Sequence, residues 1–294
     1  MLQKILIWAL FLSAAEHSYA QTTLKVVTKN IQKTVNWKAG QEVWVNSEKA
    51  EIEIAPTNDN TIRIQAELST KHPNPDSARL DLEAWQFVVS TIGKKIYIRA
   101  YIGVTSGKAL PTSNFKASLK ITLPAACPVN LANKYGKAHL EKLDGAISLS
   151  GEFCQFKLEY LKGKVDVNSR YGNVEGRHLS GPLEVQIKRA DVFLSGTSNS
   201  CNLTSEYGKV TMETSAQTGN VAIVSNKSEV TLVPGPNNQH NFDLKNTYGS
   251  LSIQKNLPFV VENPDKNTHL ATLKKNGQQR EIKVNAVFGQ LTIK

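Results

Sequence analysis

Val165-Asp-Val-Asn-Ser-Arg-Tyr-Gly172 decides the reading of this chain, because close variants of it recur four times. They are Val129-Asn-Leu-Ala-Asn-Lys-Tyr-Gly136, Cys201-Asn-Leu-Thr-Ser-Glu-Tyr-Gly208, Phe242-Asp-Leu-Lys-Asn-Thr-Tyr-Gly249 and the worn Ile282-Lys-Val-Asn-Ala-Val-Phe-Gly289. The Tyr-Gly or Phe-Gly pairs are thus Tyr135-Gly136, Tyr171-Gly172, Tyr207-Gly208, Tyr248-Gly249 and Phe288-Gly289, at spacings of 36, 36, 41 and 40 residues. Self-similarity at such a period is the mark of a repeat architecture.

A shorter period lies inside the long one. Apolar pairs at i and i+2 recur every nine residues: Val129/Leu131, Ala138/Leu140, Ile147/Leu149, Phe156/Leu158, Val165/Val167, and on to Val210/Met212 without a slip of register. Polar residues such as His139, Ser148, Lys157 and Asp166 fill the alternate sites. Period 2 means a short strand with one face inward and one face wet. An antiparallel meander could produce this, but it has no reason to repeat its turn chemistry at every fourth strand. A solenoid does, because equivalent corners stack. The expected fold is therefore all-β, a parallel β-solenoid or β-helix-like array with nine-residue strand units and a repeat of about 36 residues. A turn of 36 residues with four strands fits, and so does a turn of 18 with two kinds of coil alternating.

At the corners, Gly is expected to supply positive φ. The Tyr rings can stack along one edge, and the Asn or Ser two residues earlier can bond the turn backbone. An exposed aromatic row could instead hold sugar rings.

Residues 21–127 show the alternation less regularly and read as a β-rich entry or cap, with 128–294 as the repeat array. Strands are expected around Val43-Trp44-Val45, Glu51–Ile54, Ile62–Ile64, Gln86–Val89, Lys95–Ile98 and Leu119–Ile121. One short helix is expected over Asp76–Trp85, and loops at Pro73, Pro75 and 105–113. Trp37, Trp44 and Trp85 all fall here and suggest a bulkier core.

Lys4, the apolar run Ile5–Leu12 and the small residues of Ser18-Tyr19-Ala20 make residues 1–20 a secretory signal peptide, cleaved before Gln21. The apolar run is too short to span a membrane. The expected location is the periplasm, the cell surface or the medium, with no transmembrane anchor.

Signatures of chemistry are sparse. The five His beyond residue 20 lie at least 29 residues apart, which excludes HxH and HExxH. There is no GxSxG, Walker or dinucleotide pattern. Three Cys (Cys127, Cys154 and Cys201) exclude a disulfide scaffold and a four-thiolate zinc site, and leave at least one thiol unpaired. The net charge of +10 is spread evenly over residues 21–127 and 128–294, without the stripe that nucleic acid wants. No catalytic, cofactor-binding or metal residue is assigned. Facing carboxylates for glycoside cleavage stay open, since spatial proximity is not visible in sequence.

Asn133-Lys-Tyr-Gly-Lys-Ala-His-Leu140 and Asn168-Ser-Arg-Tyr-Gly-Asn-Val-Glu175 resemble the repeats of the bacterial "putative adhesin" family of unknown function. The Ser-Tyr-Ala-Gln junction is similar to that of exported Bacteroidetes proteins. The resemblance runs from about residue 40 to the end. It implies a cell-envelope β-solenoid and carries over no catalytic residues. The resulting expectation is a non-enzymatic exported adhesin, scaffold or binding module, whose partner is an envelope glycan or another envelope protein. The alternatives are a carbohydrate-active β-helix protein and a regulatory partner in envelope stress.

Overall fold

The computed structural model describes residues 23–103, 110–275 and 277–294; the signal segment and most of the loop expected at 105–113 lie outside them. The first strands are β1 (Lys25–Asn36), β2 (Glu42–Glu48), β3 (Ala50–Thr57) and β4 (Thr61–His72). The helix α1 (Pro75–Leu82), β5 (Trp85–Ile92), β6 (Lys95–Ile102) and β7 (Asn114–Pro124) follow. Next come the long β8 (Val129–Glu141) and β9 (Ile147–Glu159), each of which turns a corner within itself. Then come β10 (Val165–Arg170), β11 (Val174–Arg177), β12 (Leu183–Lys188), β13 (Val192–Ser195), β14 (Cys201–Glu206) and β15 (Lys209–Thr214). The chain continues with β16 (Val221–Asn226), β17 (Glu229–Pro234), β18 (Asn241–Thr247) and β19 (Ser250–Ile253). It closes with β20 (Val260–Asp265), β21 (Thr268–Leu273), β22 (Glu281–Val287) and β23 (Gln290–Ile293).

The coil is 18 residues long, half the sequence repeat. On one face Val129 pairs with Ile147, Ile147 with Val165, Val165 with Leu183 and Leu183 with Cys201, all in parallel. On the other face Ala138 pairs with Phe156, Phe156 with Val174 and Val174 with Val192. Alternate nine-residue units therefore belong to opposite faces. Their apolar pairs meet inside, and Leu143, Leu161 and Leu179 fill the far corner, all at most 1% exposed. Each such Leu or Val contributes roughly 1.5–3 kcal/mol by leaving water. The outward residues stay wet, which is why the sequence alternates rather than running apolar like a doubly covered parallel sheet.

Both ends of the stack are out of sequence order. The coil β2/β3 sits between β6/β7 on one side and β8 on the other. The last coil, β22/β23, lies between β16/β17 and β18/β19. Beyond these coils antiparallel strands cap the edges: β5 on β6 and β4 then β1 on β7 at one end, β21 then β20 on β18 at the other. A solenoid must cover its terminal strands or they pair with other chains.

Two local expectations change. The helix begins earlier, with Pro75 as its first residue and the Asn74 side chain accepting from the backbone N–H of Asp76 and Ser77. Pro lacks only a donor that the first turn would leave unpaired, so it opens the helix rather than a loop. The helix also ends at Leu82, because Trp85 is claimed by the core, its ring edge-on to Phe115 and its Nε1 donating to Ser69 O at 3.2 Å. Nor do the three Trp build one core. Trp85 is buried, Trp37 is half-buried, and Trp44 points outward because Val43 and Val45 hold the inner places.

Candidate functional site

The five Tyr-Gly and Phe-Gly pairs lie on one edge, where each coil passes from the first face to the second. Positive φ falls on the aromatic residue rather than the Gly: Tyr135 59°, Tyr171 58°, Tyr207 56°, Tyr248 57° and Phe288 52°. Gly has a different reason to be there. A Cβ on Gly136, Gly172 or Gly208 would lie 1.9–2.1 Å from the carbonyl oxygen of Ala50, Cys154 or Ala190 in the neighbouring coil. From Tyr135 to Phe288 the pairs mark every second coil, because the corners between them are Phe153-Cys154, Arg189-Ala190 and Lys227-Ser228, whose first residues also have positive φ; Tyr248-Gly249 lies on the coil next to Phe288-Gly289. Ser169 Oγ donates to Gly172 O at 2.7 Å, and Asn246 Nδ2 donates to Ser250 O at 2.8 Å, so both tie down their own turns. Asn133 Nδ2 instead reaches Ala50 O in the next coil, at 3.0 Å.

Along this edge the side chains form a ladder in two runs, from Tyr135 to Lys227 and from Phe288 to Tyr248. Tyr135 stacks on Phe153 at 5.1 Å and Phe153 on Tyr171 at 4.7 Å, with ring planes within 8°. The Arg189 guanidinium sits 5.7 Å from the rings of both Tyr171 and Tyr207, and Lys227 Nζ lies 5.1 Å from Tyr207. Phe288 and Tyr248 stack at 5.1 Å. The rings are 40–57% exposed. Stacking a sugar needs a free ring face; Phe153, Tyr171 and Tyr207 have a ladder neighbour on each side, while Tyr135, Phe288 and Tyr248 have one stacked ring each. A shorter stack, Tyr160 on His178 at 4.8 Å, runs along the opposite edge.

A concave aromatic surface occurs elsewhere, on the outer side of the first face near the start of the stack. Trp44 and Asn46 from β2 and Tyr97, Arg99 and Tyr101 from β6 stand beside Asn130, Ala132, Ser148 and Ser150 from β8 and β9. Together they line a groove of about 500 Å³. It continues past Tyr101 towards Asn168 and Arg170. The wall is built by strand register: Trp44 is opposite Tyr97, with ring centroids 6.3 Å apart, and Asn130 lies on its other side. Lys95 Nζ lies 4.1 Å from the Trp44 ring, and Arg99 lies 4.9 Å from the Tyr97 ring. Trp44 Nε1 is buried without a hydrogen-bond partner. The floor is low because Ala132, Ser148 and Ser150 are short. Trp44, expected in the core, stands outside because Val43 and Val45 take the inner places, and nothing in the sequence showed that Tyr97 and Tyr101 would stand beside it.

The outer side of the second face carries a groove of about 550 Å³ with a different character. Most of the charges in and beside it answer one another. Glu159 accepts from His139 Nε2 at 2.8 Å and from Lys157 at 2.9 Å, and Arg177 Nε donates to Glu175 at 2.7 Å. Lys157, and then His139, hold the Glu159 carboxyl below its usual range. All three Cys are free and buried; burial raises Cys127 and Cys201 to about 12 and Cys154 to about 11. Among the described residues no three His, Cys, Asp or Glu side chains gather as a metal site would require. None of the helices among them is long and apolar enough to cross a membrane.

Comparison with known families matches residues 40–294 to the one described as Toastrack DUF4097. No curated protein matches. Among solved structures, a "putative adhesin" from Bacteroides fragilis is similar at 12% identity, covering 90% of this chain and 97% of that one, with a TM-score of 0.51. A "putative cell adhesion protein" from Clostridium sporogenes is 14% identical, covering 91% and 99%, with a TM-score of 0.30. A "putative lipid binding protein" from Parabacteroides distasonis is 10% identical, covering 90% and 96%, with a TM-score of 0.41. The first of these likenesses is one of fold.

Proposed function

Since the chain belongs to the Toastrack DUF4097 family, we propose that it is a non-enzymatic binding module, an adhesin or scaffold that works at the cell envelope after export. The observation that carries this reading is the outer side of the first face. There a rigid parallel stack holds Trp44, Tyr97 and Tyr101 against a low polar floor, in a groove built from strands rather than loops. Such a surface has its recognition groups fixed before a ligand arrives, which lowers the cost of binding. Export rests on the reading of residues 1–20, and the adhesin description of similar folds agrees with it. The test is retention of labelled protein, residues 21–294, on isolated cell envelopes, alongside assays for release of reducing sugar. Saturable retention without turnover is expected. Turnover of an envelope polysaccharide that is lost with one carboxylate substitution refutes the reading.

A further inference from the structure

Resting on that reading, we propose that the groove beside Trp44 is a saccharide site whose ligand carries a carboxylate. Four features converge on this chemistry. A pyranose ring presents C–H bonds on one side and hydroxyls around its rim. The groove answers with an aromatic wall and a rim of amides and hydroxyls from Asn46, Asn130, Ser148 and Ser150.

The second feature is the side of Trp44 left open. Tyr97 and Lys95, both on β6, occupy one side of the ring. On the other side the sheet continues through Asn130 to Ser148, whose short side chains leave room above the floor. The third separates sugar from lipid: sugar hydroxyls pair with the Asn46, Ser148 and Ser150 side chains, whereas a lipid tail leaves them unpaired.

The fourth is charge. Arg99 lines this groove with its guanidinium 4.9 Å from the Tyr97 ring, Arg170 lines the continuation past Tyr101, and neither forms an ion pair among the described residues. Lys95 is paired with Glu42 and Lys134 with Glu152, and Glu48 Oε1 accepts from the backbone N–H of Ile102. Two guanidinium groups are therefore left, and guanidinium binds carboxylate through two parallel hydrogen bonds. The second-face groove lacks a free guanidinium, since Arg177 beside it is matched by Glu175, and His139 and Lys157 by Glu159; of its cations only the ammonium of Lys137 has no ion pair among the described residues.

The experiment is isothermal titration calorimetry of residues 21–294 with three acidic probes: hexagalacturonate, hexamannuronate and a hyaluronan hexasaccharide. Maltohexaose and methyl-esterified hexagalacturonate serve as neutral counterparts. At least one acidic probe is expected to bind at least tenfold more tightly than the neutral ones. Trp44→Ala should weaken that binding at least tenfold. Arg99→Gln should abolish the preference for acid while keeping the residual neutral affinity. Phe193→Ala, on the second face, should change nothing. Melting curves confirm that each variant is folded, and a Tyr101→Ala variant replaces Trp44→Ala if the latter unfolds. Binding of none of the probes, or equal binding by wild type and folded Trp44→Ala, overturns the proposal. Envelope retention separates the two levels: retention that survives Trp44→Ala leaves the binding module standing and removes the saccharide site, whereas no retention by the wild type removes the module itself.

Discussion

Gly172→Ala is the sharpest test of how the coils hold together. The added Cβ would lie 2.1 Å from Cys154 O and 2.7 Å from both the carbonyl carbon and the nitrogen of Cys154, where ordinary contact begins near 3.4 Å. These are backbone atoms inside a parallel ladder and cannot rotate away. The two coils must part by about 1 Å at this corner, and overpacking strain of that kind costs about 1–3 kcal/mol. Parting also strains the Phe156 N–H bond to Asn173 O, now 2.8 Å, at about 1 kcal/mol. It loosens the Phe153–Tyr171 stack as well, at about 0.5–1.5 kcal/mol. The total is about 2.5–5.5 kcal/mol, or a fall in Tm of ~5–20 °C for a chain of this size by differential scanning calorimetry. Two companion variants isolate the cause. Gly277→Ala meets no atom within 4 Å but has φ +78°, so it carries only the left-handed penalty of about 1–2 kcal/mol. Gly172→Asn would be well tolerated if position 172 needed positive φ, because Asn adopts that region readily; against the Cys154 carbonyl it should be at least as harmful as Ala. Refutation would be a Gly172→Ala protein that melts within 2 °C of wild type, or a Gly172→Asn protein that melts above Gly172→Ala.

Truncation before residue 279 should prevent native folding. It withdraws Ile282, Val284, Leu291 and Ile293, each at most 1% exposed, worth about 6–12 kcal/mol together, which is comparable with a whole domain's stability. Unchanged near-ultraviolet dichroism and melting would contradict the interleaved order of the last coils. The buried thiols of Cys127, Cys154 and Cys201 should be silent to Ellman's reagent at pH 8 in the folded protein and should give three equivalents in guanidinium without reductant; a rapid native equivalent, or fewer than three after unfolding, would show otherwise. His240 is fully buried, its ring between Asn238 Oδ1 and Thr218 O. Two acceptors favour the charged ring, but burial, reinforced by Arg280 and Lys275, outweighs them and lowers the pKa. The unfolded chain therefore takes up the proton first, so stability should fall by up to about 1.4 kcal/mol per unit as pH drops below ~6.5 towards the folded pKa. His240→Gln should flatten that part of the urea-denaturation profile, and an unaltered slope would exclude His240 as its source.

Much of the architecture was legible because period 2 is a property of single strands. Val165/Val167 against Asp166 says which side is inward whatever the strand pairs with. The Tyr-Gly corners were legible as places but not as mechanisms. Positive φ on Tyr171 and crowding at Gly172 depend on where Cys154 O stands, and that atom belongs to another coil. The corners at Phe153, Arg189 and Lys227 escaped notice because a ring and a cation stack equally well on Tyr, so the geometry repeats where the letters do not. The Trp44 groove was not read: Trp44 was counted towards the core, although alternation with Val43 and Val45 turns it outward, and its neighbours arrive from β6, more than fifty residues further along.

What the sequence determined alone is the unit: a short strand, a corner, an inward pair of apolar side chains, repeated until a solenoid is the arrangement that buries them all. Those are local properties, written in residues two and nine apart. The tertiary structure decided the order of the units. Val221 pairs with Ile282 and not with Phe242, and Val43 lies between Ile96 and Val129. Parallel strands of one period offer one another nearly the same edge, so no residue pattern selects the neighbour. Closing both ends of the stack does.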